Sequence, residues 1–416
     1  MTCEQGKGLR IAVVTPGLGI GGAARLMVDA AVGLQQAGHD VRLFTAAHDP
    51  AECFDEIRDG TLRVSVLPNR IPAHVGSHLR APCMIARTAV LGARVGRRHG
   101  PFDVILCDLI AQVIPVLRHV SDARIIFYCH YPDRLLTPLR GGVYSLYRAP
   151  LDWWEGWATG MADRVLVNSQ FTVGVFRRTF TRLSAMPLEV VYPAVEITRF
   201  AAVPPLQPSA SGPVILLSVN RFHPKKKLEL AVETVAALRD QLPAAAFERV
   251  RLVVAGGYSA SDPDNVEVLD RLRQRARELR VEDRVSFRTS VSDTELVQLF
   301  GESACVLYTP EHEHFGIVPL EAMAAGRPVI AVNNGGPCES VRDGATGFLR
   351  PPTAVAFAGA IATLIGAPER AVQMGRAARE HVRAHFSRTA FAARFDAIVR
   401  EVVAAGRGDP AASEPP

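Results

Sequence analysis

Short apolar runs alternate with amphipathic stretches along almost the whole chain. Buried parallel strands appear as continuous apolar runs, whereas helices place apolar residues three and four positions apart. The runs that predict strands are residues 11–15, 41–45, 103–108, 124–130, 164–168, 214–220, 251–257, 284–288, 304–308 and 329–332. The stretches that predict helices are residues 23–37, 80–98, 228–241, 262–280, 317–325, 357–383 and 388–403, and residues 344–349 predict a hairpin-like turn. This alternation predicts an α/β fold with doubly wound parallel sheets.

A stretch rich in proline, serine and alanine divides the chain. Residues 201–213 contain four prolines, which is typical of a linker between domains. We therefore expect a first Rossmann-like domain at residues 1–200 and a second at residues 214–386. The last helix, within residues 387–405, is expected to return to the first domain, and residues 406–416 are expected to be disordered.

Charge is distributed unevenly over the 416 residues. The formal net charge of +5 belongs to residues 1–200, which hold 22 Lys and Arg against 17 Asp and Glu. This excess is too small to indicate nucleic-acid binding, but it suits an anionic membrane surface or a lipid diphosphate. The seven cysteines include no Cys-x-x-Cys pair, which favours a reducing compartment and argues against zinc. Polar residues 1–8 indicate no signal peptide, and no apolar run approaches the ~20 residues of a membrane span.

Glycines follow the first predicted strand. Gly17, Gly19 and Gly22 lie between that strand and the first helix, and their spacing matches dinucleotide-binding loops. A nicotinamide-dependent dehydrogenase would also carry an acidic residue where the second strand ends, but residues 45–47 are Thr-Ala-Ala. The sequence therefore argues against a dehydrogenase.

A histidine ends one strand of the first domain. His130 closes the run at residues 124–130 and is followed by Tyr131, Pro132 and Asp133. Ligands of open α/β sheets bind at the carboxyl ends of the strands, so His130 is a candidate site residue. A lone histidine is more often structural, and the residues alone leave both roles open.

Cations follow the first strand of the second domain. Asn220 ends that strand, Arg221 comes next, and three lysines occupy positions 225–227. Cations at the lip of a sheet suit a nucleotide diphosphate, whereas a solvated basic loop is the alternative. Gly256 and Gly257 end the next strand and would line the same pocket.

Two carboxylates flank a short loop and the start of a helix in the second domain. Glu313 lies in the loop, and Glu321 lies about one turn into the predicted helix. Gly316 between them allows close approach of the backbone to a ligand, and the N–H groups at the helix start suit a diphosphate. The alternative is a surface loop that happens to carry acidic residues.

Together these segments resemble the retaining glycosyltransferases of the GT-B fold, family 4, over residues 11–386. The most specific part is the stretch at residues 313–321, followed by a Gly-Arg-Pro turn at residues 326–328. The resemblance implies two doubly wound Rossmann-like domains that face each other across a cleft. The second domain would bind a nucleotide sugar, and the first would bind the acceptor.

The same resemblance implies roles for individual residues. Arg221 and Lys226 would stabilise the departing diphosphate, while which of Lys225, Lys226 and Lys227 touches it stays open. Glu313 would bind the sugar hydroxyls, Glu321 would bind the ribose, and His130 would orient an acceptor hydroxyl or touch the donor sugar. Ala24 replaces a glutamate that is frequent in the family, and no protein-bound metal is implied. The full donor-binding set is Gly22, Asn220, Arg221, Lys226, Gly256, Gly257, Phe315, Gly316, Ile317, Val318 and Glu321; the acceptor-binding set is Gly21, Arg25, His130 and Asp133.

Within the family, the segments are most similar to the enzymes that add mannose to lipid-linked oligosaccharides. This similarity implies GDP-mannose as donor and a dolichol-diphosphate-linked chitobiose carrying one mannose as acceptor, with α-1,3 and then α-1,6 branches formed. It also implies peripheral attachment to the cytosolic face of the endoplasmic reticulum membrane, and other mannosyltransferases of the pathway as partners. The residues alone leave open a same-fold enzyme with another donor and acceptor, or a non-catalytic GT-B subunit. The intact Glu313, Glu321, Arg221 and Lys226 argue against the non-catalytic subunit.

All three tryptophans of the chain lie within one short segment. Trp153 and Trp157 share one face of a predicted helix, and Trp154 lies near Trp157. One interpretation is packing in the core. The other is a helix at a membrane interface, with Arg140 and Arg148 close by. The sequence does not choose between the two.

Overall fold

The computed structural model describes residues 8–49, 53–67, 71–72, 80–136, 143–207 and 212–407. They form two compact units, of which the first runs to Ala194 and resumes at Arg388, and the second spans Val195–Ser387. Most of the expected tail, part of the expected linker, and Arg140 lie outside the described residues. The boundaries expected from the sequence therefore stay predictions.

The first unit is built on one parallel sheet. Its strands are β1 (Arg10–Thr15), β2 (Asp40–Thr45), β3 (Val64–Val66), β4 (Val104–Asp108), β5 (Arg124–Cys129), β6 (Arg164–Val167) and β7 (Leu188–Val190). They lie in the order β3-β2-β1-β4-β5-β6-β7. Its helices are α1 (Gly22–Gln36), α2 (Asp55–Arg58), α3 (Arg80–Arg94), α4 (Ile114–Val120), α5 (Asp133–Leu136), α6 (Val143–Thr159), α7 (Gln170–Thr179) and, at the end of the chain, α16 (Arg388–Arg407).

Alternate side chains of β1 enter two different cores. Ile11 and Val13 pack in a cluster with α1 and α16, whereas Ala12 and Val14 pack in a second cluster with residues of α3 and α4. Successive side chains of a strand point to opposite faces, so both faces of this sheet are covered. This is why the strands of the first unit appear in the sequence as continuous apolar runs.

Helix α16 packs closely on α1. A Cβ added at Gly33 would lie 2.6 Å from the Cβ of Ala392, so the backbone of α1 lies directly against the side chain of Ala392 in α16. Phe395, Ile398 and Val399 of α16 are fully enclosed in the same cluster as Ile11. The last helix of the chain is thus a structural part of the first unit.

The second unit is built on a six-stranded parallel sheet in the order β10-β9-β8-β11-β12-β13. The strands are β8 (Val214–Val219), β9 (Val250–Gly256), β10 (Val285–Thr289), β11 (Cys305–Tyr308), β12 (Val329–Val332) and β13 (Gly347–Arg350). The helices are α8 (Glu229–Leu238), α9 (Ala244–Phe247), α10 (Pro263–Glu278), α11 (Asp293–Glu302), α12 (Ile317–Ala324), α13 (Pro337–Ser340), α14 (Ala354–Gly366) and α15 (Pro368–His385).

Two local predictions for the second unit are wrong. Residues 344–349 do not close a hairpin, because β13 pairs in parallel with β12 and extends the edge of the sheet. The single helix expected at residues 357–383 is two helices, α14 and α15, which meet at an angle of 105°. Pro368 is the first residue of α15. The N–H at that position has no partner within a helix, so a proline costs no hydrogen bond there and starts a new helix instead of continuing α14.

No single helix of the described residues combines the length and the apolar composition that a membrane crossing needs. The bent pair α14–α15 meets that test only when its two helices are taken together. Its apolar side chains, such as Phe357, Ile361 and Met374, lie in the core of the second unit.

Candidate functional site

The loop between β11 and α12 carries Glu313 and is held in place from two sides. Gly316 has a φ of 82°, and a Cβ there would lie 2.7 Å from the Oη of Tyr308. The backbone N–H of Gly336 donates to the carbonyl of Glu313 at 2.8 Å, and a Cβ at Gly336 would overlap Phe315. Gly316 therefore lets the loop pass close to the side chain of Tyr308, and Gly336 lets a second backbone segment touch the loop. These contacts fix Glu313.

Glu313 and Lys226 form an ion pair with 2.5 Å between Oε2 and Nζ. Each side chain keeps about a quarter of its surface exposed, at 25% and 23%. The hydroxyl of Thr309 also donates to the carbonyl of Lys226 at 2.7 Å, so the loops that follow β8 and β11 are joined twice. The structure thus brings together the predicted carboxylate and the predicted lysine.

Glu321 lies on the first turns of α12 with most of its side chain covered. Its Oε1 is 4.0 Å from the guanidinium of Arg199. Burial raises the pKa of Glu321 to about 7; Arg199 opposes the rise and Asp293 adds to it. A carboxyl group with this environment gains from a ligand that donates hydrogen bonds to it, as sugar hydroxyls do.

The carboxyl ends of β8 and β9 meet at Asn220 and Gly256. Gly256 has a φ of 146°, and a Cβ there would lie 2.0 Å from the carbonyl oxygen of Asn220, so no other residue fits. The side-chain nitrogen of Asn220 is buried and has no hydrogen-bond partner among the described residues. Buried donors are normally satisfied, so this atom is suited to a ligand acceptor.

Arg221 lies beside that unsatisfied donor. Its side chain is exposed and forms no ion pair within the described residues, and a Cβ at Gly257 would lie 3.7 Å from its Cγ. Gly316 precedes α12 without a side-chain cap, which leaves the first N–H groups of Ile317 and Val318 open to an acceptor. The predicted donor-binding residues of the second unit therefore cluster at one edge of its sheet.

His130 of the first unit directly follows β5 and is held by neighbours from other strands. Its Nε2 is 3.1 Å from Oδ2 of Asp108, the last residue of β4. The side-chain amide of Asn168 donates to the carbonyl of His130 at 3.0 Å. Asp108 was not among the residues chosen from the sequence, although its position at a strand end was visible there.

Asp133 lies at the start of α5 and is engaged by α6. Arg148 donates to its carboxylate at 2.9 Å, and Glu155 accepts from its backbone N–H at 2.8 Å. Burial raises the pKa of Glu155 to about 7, and the two backbone N–H bonds from Asp133 and Arg134 oppose that rise. Helix α6 therefore determines the position of the segment that follows His130.

The glycine loop before α1 is open, but Arg25 is occupied. Gly21 and Gly22 are exposed, and no atom of the described part of the chain lies within 4 Å of a Cβ added to either. Each guanidinium nitrogen of Arg25 donates to a carboxylate of the same unit, at 2.7–3.0 Å from Asp29 or Glu56. The two glycines are therefore accessible to an acceptor, whereas the guanidinium of Arg25 is already bound by carboxylates.

The tryptophans of α6 divide between surface and core. Trp153 and Trp157 are 59% and 49% exposed, and their rings stack with centroids 6.2 Å apart. Trp154 instead packs against the core on one face of the first sheet. Trp154 therefore packs in the core, whereas the membrane-interface interpretation of Trp153 and Trp157 stays a prediction.

The described parts of the chain contain no group of three or more His, Cys, Asp or Glu side chains placed to hold a metal ion. The candidate site of the second unit offers cations and amides, which bind phosphate oxygens directly.

Two family models match the chain. Residues 205–381 match Glycosyl transferases group 1, and residues 20–199 match Glycosyltransferase Family 4. The two matches fall on the second and the first unit respectively.

Curated relatives match over nearly the whole length. The alpha-1,3/1,6-mannosyltransferase ALG2 of Mus musculus is 43% identical over 93% of this chain and 95% of its own. The human protein of that name is 44% identical over 90% of this chain and 92% of its own. The Saccharomyces cerevisiae protein is 36% identical over 94% of this chain and 85% of its own.

Solved structures show the same architecture. A glycosyltransferase from Rickettsia africae superposes with a TM-score of 0.72 at 18% identity, over 95% of this chain and 99% of its own. Sucrose-phosphate synthase from Thermosynechococcus elongatus gives 0.71 at 23%, over 95% and 100%. The predicted GT-B fold, with two Rossmann-like α/β domains, is confirmed.

Proposed function

This chain belongs to the glycosyltransferase family of the alpha-1,3/1,6-mannosyltransferases, and we propose that it moves mannose from GDP-mannose to a dolichol-diphosphate-linked oligosaccharide. The acceptor is chitobiose that carries one mannose, and the products are α-1,3 and then α-1,6 branches. The observation that carries the proposal is the cluster of Arg221, Lys226, Glu313 and Glu321 at one edge of the second sheet, in a chain 43% identical to the mouse enzyme.

The second unit binds the donor in this proposal. Arg221 and Lys226 contact the diphosphate, together with the side-chain amide of Asn220 and the open N–H groups at the start of α12. Glu321 accepts hydrogen bonds from the ribose. Gly256 and Gly257 let the backbone approach the nucleotide. The buried side-chain nitrogen of Asn220, which has no partner among the described residues, supports this assignment, because a phosphate oxygen would satisfy it.

Glu313 changes partner when the donor binds. In the unliganded chain its carboxylate neutralises Lys226 at 2.5 Å. The diphosphate then attracts Lys226, and the carboxylate accepts hydrogen bonds from the mannose hydroxyls. A carboxylate near the sugar ring also stabilises positive charge that develops at the anomeric carbon. Phe315 and Gly316 hold the loop that presents it.

Transfer proceeds with retention of configuration. The bond between the anomeric carbon and the diphosphate oxygen breaks, and its electron pair leaves with the diphosphate. The acceptor hydroxyl forms a new bond to that carbon on the same face, and its proton passes to the departing phosphate oxygen. Arg221 and Lys226 stabilise the negative charge on the leaving group, which is the main electrostatic contribution.

The first unit binds the acceptor in this proposal. His130 accepts a hydrogen bond from a sugar hydroxyl, and Asp133 lies next to it in the chain. Gly21 and Gly22 present backbone N–H groups at the start of α1 to a lipid diphosphate. Arg25 acts there through the position of α1, since its guanidinium is already bound by Asp29 and Glu56.

The test of the proposal is a matrix of donors and acceptors. The purified chain is incubated with labelled GDP-mannose, GDP-glucose, UDP-glucose and UDP-galactose, each with synthetic lipid-diphosphate acceptors. We expect transfer from GDP-mannose alone, with two successive mannose additions. Transfer from a uridine nucleotide would establish the alternative of a same-fold enzyme with another donor. No transfer from any donor, with intact nucleotide binding, would establish a non-catalytic subunit.

The acceptor lipid stays in the bilayer, so we propose that the first unit attaches to the cytosolic face of the endoplasmic reticulum membrane. The net positive charge of the chain belongs to residues 1–200. Exposed apolar side chains are also concentrated in the first unit, at Ile20, Leu109, Leu135, Leu146, Trp153 and Trp157. Aromatic rings insert at the depth of lipid headgroups, and each nearby cation adds about 1 kcal/mol on an anionic surface.

Liposome flotation tests this attachment. The wild-type chain should float with anionic vesicles more than with neutral ones. Changing Trp153 and Trp157 together to Ser should abolish flotation without loss of stability, because both rings are largely exposed. The matched control is Trp154→Phe, which changes a core residue and should float normally. Equal flotation of the folded double variant would place the attachment elsewhere.

A further inference from the structure

His130 is held by three neighbours, two at its ring and one at its backbone carbonyl. Oδ2 of Asp108 lies 3.1 Å from its Nε2, and the amide of Asn168 holds its carbonyl at 3.0 Å. The ring of Tyr128 packs beside it, with 4.7 Å between the centroids. The side chain of Asp108 is completely covered, whereas that of His130 keeps 16% of its surface exposed. The histidine thus faces outward on a rigid internal support.

A buried aspartate beside His130 is expected to destabilise the fold. A buried carboxylate is costly unless hydrogen bonds satisfy it. Oδ1 of Asp108 is buried and accepts no hydrogen bond within the described residues, so Nε2 of His130 is its one side-chain partner there. An apolar residue at this position would serve packing better. The hydrogen bond between this carboxylate and Nε2 of His130 therefore explains why an aspartate lies there.

The position of the pair in the sheet points to a ligand. Asp108 ends β4 and pairs in register with Tyr128 of β5, two residues before His130. Both side chains thus lie at the carboxyl edge of a parallel sheet, where open α/β folds bind their ligands. When Nε2–H donates to Asp108, the other ring nitrogen, Nδ1, carries a lone pair and can only accept.

We propose that Asp108 is a positioning residue, which accepts a hydrogen bond from Nε2–H of His130 and so presents Nδ1 as an acceptor for a substrate sugar hydroxyl. The inference rests on the proposed function, since a bound carbohydrate supplies that hydroxyl. An Asn at position 108 can instead donate through its amide to Nε2. The proton of the neutral ring would then lie on Nδ1, which would become a donor.

The first experiment observes the tautomer without substrate. The full chain is labelled with 15N-histidine, and the two ring nitrogens of His130 are assigned by their loss in His130→Gln. We expect Nε2 to carry the proton and Nδ1 to be bare in the neutral ring. A protonated Nδ1, or an even mixture of both tautomers, would overturn the inference. This measurement uses the wild type, so it holds even if a variant at Asp108 fails to fold.

The second experiment measures turnover and binding. Asp108→Asn should lower kcat by about 10–100-fold, the range seen when the partner that orients a metal-bound histidine is removed. The dissociation constant for GDP should stay unchanged, because GDP is assigned to the second unit. Asp122→Asn is the matched control, an exposed aspartate at the other end of β5, and should behave as wild type.

A double-variant cycle separates positioning from mere packing. If Asp108 acts only through His130, then Asp108→Asn should have no further effect on kcat in a His130→Gln background. An equal loss in both backgrounds, or wild-type kcat in Asp108→Asn, would refute the positioning role. A wild type without mannosyl transfer would refute the proposed function instead, and the tautomer measurement would stand independently of it.

Discussion

The two units use their charged side chains in different ways. In the second unit, Arg221 and Lys225 are exposed and form no ion pair within the described residues, and Lys226 pairs only with Glu313. In the first unit, Arg25 is bound by two carboxylates and Arg148 is likewise bound by two. Arg221 and Lys225 are thus available to an anionic ligand, whereas Arg25 and Arg148 hold helices and loops of the first unit together.

This difference separates the residues that bind from the residues that support. Substitutions among the available cations should reduce turnover and leave the free energy of unfolding unchanged. Substitutions among the engaged ones should destabilise the fold and affect turnover only through it.

Arg221→Ala should have the largest effect on activity. Removing one donor that stabilises transition-state charge typically costs about 2.7–4 kcal/mol, so kcat should fall by about 100–1,000-fold. The urea midpoint should not move, because the side chain is exposed and unpaired within the described structure. Arg376→Ala, which removes an exposed arginine from α15, is the control and should keep its kcat. Near wild-type turnover in Arg221→Ala would contradict a role for this arginine in stabilising the leaving group.

Arg25→Ala should show the reverse pattern. It leaves the buried Asp29 with one cation fewer, although Arg388 still lies 3.0 Å from that carboxylate. We expect a loss of about 1–3 kcal/mol in the free energy of unfolding, measured in urea. Adding Asp29→Asn should restore part of it. Arg42→Ala, whose exposed pair with Asp40 spans 3.8 Å, should change stability by less than about 0.5 kcal/mol. A stable, inactive Arg25→Ala would instead make Arg25 a direct ligand.

Glu321→Gln should stabilise the unliganded chain at alkaline pH. Burial raises the pKa of Glu321 from 4.5 to about 7, so the folded state favours the neutral carboxyl. That advantage is fully present below about pH 4.5 and is lost as the pH rises through 7, where the buried charge must form.

The measurement is the difference in stability between Glu321→Gln and wild type at two pH values. At pH 8 the variant should be the more stable by on the order of 2 kcal/mol, and at pH 5 the difference should shrink. The same variant should bind GDP-mannose more weakly, since it loses a charged acceptor for the ribose. Glu302→Gln, an exposed change nearby in the chain, should show no pH-dependent difference. A difference that grows toward acid pH would contradict the burial of this carboxyl.

Chelation should have the smallest effect. If Arg221 and Lys226 supply the charge stabilisation, EDTA should leave most of the mannosyl transfer intact. Complete loss that only a divalent ion restores would mean that a metal shares their role. Partial stimulation by magnesium would fit the proposal as well, because the acceptor diphosphate itself binds cations.

The sequence predicted the inner strands well because the sheets are covered on both faces, whereas the strands it missed, β3, β7 and β13, lie at sheet edges. Ile11 and Ala12 enter different cores, so neither face of β1 needed polar residues and the run was continuous. The break between α14 and α15 was missed because both segments have helical patterns, and Pro368 is what marks the boundary between them.

The candidate site was predictable where its residues are neighbours in the sequence and obscure where they are not. Glu313 and Gly316 belong to one motif, and the loop geometry agrees with it. Arg25 is not available to a ligand because it binds Glu56, which lies 31 residues away in the sequence. The role of Asp108 depends on His130, which lies 22 residues away. Pairings across a sheet are set by packing, which the local pattern does not encode.

The packing of α16 on α1 also sets the order in which the chain can fold during its synthesis. Domains usually fold as units from the N-terminus as the ribosome delivers them. Here Phe395 and Ile398 complete the core around Ile11, so the first unit cannot close until the second has been translated. Until α16 is synthesised, the part of α1 that packs on it has no cover in the nascent chain. A chain released at Ser387 would keep the second unit entire and leave the first exposed to chaperones and proteases.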